Sequence, residues 1–146
     1  MITINELEME RLTQSKGTFL LEKSLYDFHK ESTKWLSEVE LWKIELNLFQ
    51  KLLDKHAPDL RTKQQKMEID HFQNLIIYYN GELLDEFKHE LNLHEKNLAS
   101  SLKDEDGVSD MTLRDEHATM HRRLDAFETE FKNYKKELFE FLEKLI

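Results

Sequence analysis

The chain has 146 residues, a formal net charge of −9 and no cysteine. That length fits one domain with a real core, and the missing thiols exclude disulfides, thiol catalysis and thiolate metal sites. Lysine and arginine interleave with acids throughout, which leaves no basic tract for nucleic acid or for an anionic membrane surface.

Three glycines and one proline leave few places to turn, so a few long elements are expected rather than a sheet. The expected fold is all-α. It is a long antiparallel up-down bundle of three helices, over about 22–57, 59–104 and 109–146, in a single domain spanning 1–146. A short N-terminal helix or dimerisation would complete it.

Residues 1–20 open with a Thr3-x-x-Glu6 capping-box pattern for a short helix that Gly17 would end. The same segment is acidic and lacks a continuous apolar run, so it is not read as a signal peptide. No stretch reaches the ~20 apolar residues of a membrane span, and a cytoplasmic protein is expected.

The first long helix carries Leu25, Phe28, Ser32, Trp35, Val39, Trp42, Leu46, Phe49, Leu53 and His56. Steps of three and four alternate without a break, which makes an a/d seam. Phe28, Trp35, Leu36 and Glu38 resemble the first helix of a spectrin-type repeat over about a dozen residues, and the rest of the chain shows no further match. Pro58 ends the helix near Ala57, and Asp59 is placed to cap the next one.

The second helix, about 65 Å long at 1.5 Å per residue, carries Ile69, Phe72, Ile76, Tyr79, Leu83, Phe87, Leu91, His94, Leu98 and Leu102. Three consecutive steps of four, from Tyr79 to Leu91, come closer to an eleven-residue repeat. Gly81 lies within them and marks a bend or a close helix approach. In the segment 104–109, Gly107 suits a helix end and Ser109 a cap. The third seam runs Leu113, His117, Met120, Leu124, Phe127, Phe131, Tyr134, Leu138, Phe141 and Leu145.

With short turns, Trp42 should lie level with Gln73, Glu22 with His94, and His94 with Thr119. Residues 75–79 are apolar all round the helix, more than three helices can cover. A fourth surface is therefore expected there, either the N-terminal segment or a second subunit. Ile77, Tyr78, Phe139 and Ile146 mark that contact surface. Trp35 and Trp42 are read as core.

Histidine carries the remaining chemistry. His94 and His117 occupy seam positions, and His121 is one turn from His117. Glu90 is one turn from His94, and Glu22 would approach from the first helix. Such a set is how helical bundles hold zinc or iron. Ferritin-like sites need two Glu-x-x-His motifs on different helices. Here Glu68-x-x-His71 and Glu86-x-x-His89 share one helix, about 27 Å apart. His117-x-x-x-His121 resembles one element of hemerythrin-like proteins. Glu31, Glu38 and Glu45 recur every seven residues beside the first seam, where acids face lysines of a neighbouring helix.

No nucleophile elbow or phosphate loop is present. The leading expectation is a non-enzymatic interaction or scaffold protein without cofactor, self-associating or docking a protein partner through the apolar mid-bundle surface. The alternative is a zinc or hemerythrin-like metal bundle built on the histidine and glutamate cluster.

Overall fold

The computed structural model describes residues 17–102 and 110–146. The Thr3–Glu6 cap and the roles given to Gly107 and Ser109 lie outside the described residues. All regular structure within them is helical. The α-helices are α1 Gly17–His56, α2 Lys63–Tyr78, α3 Leu84–Leu102 and α4 Asp110–Leu145. Among the described residues no helix is long and apolar enough to cross a membrane.

α1 stops at His56, where Ala57–Asp59 tightens into a 3-10 turn around Pro58, because proline bars its predecessor from helical geometry. The next helix does not start at Asp59. Leu60 is extended, and the cap is Thr62, whose side-chain oxygen accepts from the Gln65 amide at 3.1 Å. Gln65 Oε1 accepts in return from the Thr62 amide at 3.1 Å. This reciprocal cap satisfies two amides at once. Asp59, a lone cap candidate, instead faces His56 Nδ1 at 3.3 Å.

Tyr79–Leu83 forms one π-helical turn between α2 and α3. It explains the irregular spacing of the second seam. Tyr79 is buried, and the next buried residue is Leu84, five positions on, with Leu83 only half-buried. From Leu84 the steps return to three and four through Phe87, Leu91, His94 and Leu98. The apparent eleven-residue drift is therefore a heptad seam with one inserted residue, which the wide turn absorbs. Gly81 lies in that turn, yet a Cβ placed on it would meet nothing within 4 Å. No close helix approach occurs there. Leu102, expected on the seam, is exposed.

Cross-helix contacts fix which residues share a level. Between α1 and the α2–α3 stretch, numbers fall on one side as they rise on the other: Glu40 with Lys88, Lys43 with Asp85, Asn47 with Asn80, Asp54 with Gln73. α4 meets that stretch in the same sense, through His94 with His117, Tyr79 with Tyr134 and Phe72 with Phe141. Along α1 and α4 the numbers rise together, from Trp35 with His121 to Trp42 with Phe127 and Phe49 with Phe139. Trp42 thus lies near the level of Asp85, not Gln73. The connection past His56 runs on through the 3-10 turn and extended Leu60 before α2 turns back, so α2 starts further along than a tight turn would allow.

Among the described residues the core falls into two clusters. A long aromatic-rich section runs from Trp35, Leu91 and Met120 to Phe72, Phe141 and Leu142. A small cluster of Leu25, Leu98 and Leu113 sits at the other end. Between them, one seam residue on each of three helices is polar and buried: Ser32, His94 and His117.

Candidate functional site

The polar layer is built from the seam outward. His94 Nε2 lies 3.0 Å from His117 Nδ1, and His94 Nδ1 lies 3.3 Å from Glu116 Oε2. His117 Nε2 is 3.6 Å from Glu31 Oε2 and has no hydrogen-bond partner. These distances select the tautomers. Facing a carboxylate, His94 carries its proton on Nδ1, so its Nε2 accepts. His117 then donates from Nδ1, and its bare Nε2 is the buried nitrogen left over.

The His117 ring is clamped between Phe28, stacked at 4.0 Å between centroids, and Trp35 at 4.5 Å. Burial pushes its pKa down to about 4, with the nearby His94 and His121 adding to the shift. Burial lowers His94 as well, partly offset by the Glu116 carboxylate. Both rings are therefore neutral at physiological pH. Beside them His29 Nδ1 lies against the Glu95 carboxylate, and burial raises Glu95, with His29 offsetting part of the rise.

The five residues expected to gather around a metal are placed differently from one another. His94 and His117 meet, one ring nitrogen of each spent on the other. His121 is exposed and pairs with Asp125 at 3.0 Å. Glu90 pairs with Arg123 across the α3–α4 groove rather than with His94, since a guanidinium offers it a charged partner. The level of His94 on α1 is that of His29, so the Glu22 backbone lies about two turns away, and its side chain is outside the described residues. Among the described residues no group of three or more His, Asp or Glu is arranged to hold a metal ion. Two carboxylates do flank the histidines: Glu31 escaped the spacing argument because α1 was set at the wrong level, and Glu116, next to His117 on α4, because it lies off the seam.

A second feature is on the outside. Ile77, Tyr78, Phe139 and Ile146 are all exposed. Ile77 lines an open groove with Asn47, Gln50, Gln73 and Asn80 on one flank of α1. Phe139 lies on its other flank, its ring edge-on to Phe49 at 5.6 Å. Between those flanks α1 itself presents Leu41, Ile44 and Leu48, exposed by 55%, 63% and 52%. Their steps of three and four put them on one stripe opposite the buried seam. Sequence reading missed this stripe because it followed only the longest apolar seam. The same spacing test applied to the outward positions finds it.

Comparison with known protein families, with curated proteins and with solved structures gives no match to this chain.

Proposed function

We propose that the chain is a non-enzymatic interaction or scaffold module. In this reading α1, the α2–α3 stretch and α4 form an antiparallel up-down three-helix bundle in one domain. The bundle self-associates or docks a protein partner through an apolar face centred on α1. One observation carries the proposal: Leu41, Ile44 and Leu48 form an outward stripe that the bundle's own core does not use. Each is more than half exposed, so covering it offers roughly 1 kcal/mol or more of further burial per residue. Solvent-facing aliphatic residues scattered singly are ordinary, but three on one stripe with Ile77 and Phe139 beside them mark an interaction surface.

Light scattering after size exclusion, with affinity capture from a lysate, tests this on wild type, Ile44→Glu and Leu93→Glu. Leu93 is an exposed residue of α3 outside the stripe and serves as the control. Assembly or capture lost in Ile44→Glu and kept in Leu93→Glu is the expected result. A strictly monomeric chain whose captured proteins are the same in all three forms would remove the proposal.

A further inference from the structure

The outward stripe of α1 does not end in leucines. Continued by the same steps of four and three, it passes Ser37 to reach Lys34 and Lys30 on one side and Lys51 and Lys55 on the other, all exposed. The apolar middle is about 10 Å long and the lysines reach about 38 Å end to end. The acids of mid-α1 are already engaged, Glu40 with Lys88 at 2.8 Å and Glu45 with Lys135 at 3.0 Å. Lys30 rests over the Tyr26 ring and Lys34 is 4.0 Å from Glu38. Lys51 and Lys55 have no ion pair among the described residues.

Resting on the docking reading above, we propose that the occupant is an α-helix of a partner protein with an apolar middle and acidic ends, lying lengthwise on α1. Heptad spacing is the pattern another helix reads, through knobs set three and four residues apart. The lysines choose its charge. A second copy of α1 is a poor occupant in either direction. Parallel pairing sets Lys34 against Lys34, and antiparallel pairing with Leu41 opposite Leu48 sets Lys34 against Lys55, so like charges meet. A lipid surface fits less well again, because only three apolar side chains would enter it and a chain of net charge −9 is repelled by anionic headgroups.

The test uses the full chain and two designed helical peptides with the same Leu/Ile heptad centre, one ending in glutamates and one in lysines. Fluorescence anisotropy should show the glutamate-ended peptide binding at least about tenfold tighter at low salt. The gap should close as salt rises, and the Lys34→Glu/Lys51→Glu chain should reverse the order. Equal binding of both peptides, or no reversal, overturns the acidic partner, and loss of both in Ile44→Glu would then leave the docking face standing. If neither peptide binds while the chain self-assembles, or binds anionic vesicles, through Ile44, the occupant is a second copy or a membrane and the proposal falls. If Ile44→Glu changes nothing in any of these assays, the docking reading falls with it.

Discussion

At the scale of single residues, the buried histidines make stability depend on pH in one direction. Folding makes both rings harder to protonate than in the unfolded chain, where histidine titrates near 6.5. The unfolded state therefore takes up more protons as pH falls. Stability is fully present above about 6.5 and declines towards about 4, where His117 titrates in the folded chain. Glu95, raised by burial, acts in the opposite sense near the ordinary carboxylate range and softens the decline. Wild type should lose roughly 2 kcal/mol between pH 7 and pH 4.5 in denaturant titrations, and His94→Leu/His117→Phe should lose much less. Tryptophan emission gives a second readout, since Trp35 stacks on His117. Equal slopes for the two proteins would contradict this account. Seam spacing made His94 and His117 legible in the sequence. Their partners were not: Glu31 depends on a level set by the turn after His56, which no local pattern encodes, and Glu116 lies off the α4 seam that the spacing follows.

At the scale of elements, the informative departure is the π-turn. Three consecutive steps of four in the second seam signalled an irregularity, but spacing alone cannot distinguish a gradual drift from one extra residue. The core decides it, because Tyr79 must face Phe127 and Tyr134 while Leu84 must also be buried, and only a widened turn allows both. α1 supports the turn from outside: Lys43 Nζ reaches the Asn80 carbonyl oxygen at 3.4 Å, and Asn47 Oδ1 accepts from Asn80 Nδ2 at 2.8 Å. Because Gly81 has open space around it and no left-handed φ, Gly81→Ala should raise stability by ~0.5–1 kcal/mol. Deleting Gly81 should turn the stretch into plain α-helix with its seam intact, and thermal melts should remain cooperative. Deleting Thr129 from α4, which has no such turn, should rotate half of that helix by about 100° and unfold the chain. A Gly81 deletion as damaging as the Thr129 deletion would rule out the inserted-residue explanation.

At the scale of the whole molecule, the helical class was readable because composition and three long seams agreed, and tertiary packing follows such seams closely. The outward stripe on α1 obeys the same spacing and was hidden only by the stronger seam behind it. What the seams could not convey is that the described residues of the interior form two separate clusters. Ser32, His94 and His117 separate the Leu25–Leu98–Leu113 cluster from the long aromatic section. A break of this kind weakens the cooperativity that normally ties one end of a helical rod to the other. The small cluster can open without melting the rest, so backbone amides of 26–32, 96–102 and 114–117 should exchange with deuterium well before those flanking Phe72, Tyr79 and Phe131. Acid should widen the difference, since protonated imidazoles prefer the opened end. Uniform exchange along α4 would show that the molecule unfolds as one unit. Otherwise the protein behaves as a stiff rod with a hinged cap, and an encounter at one end need not be felt at the other.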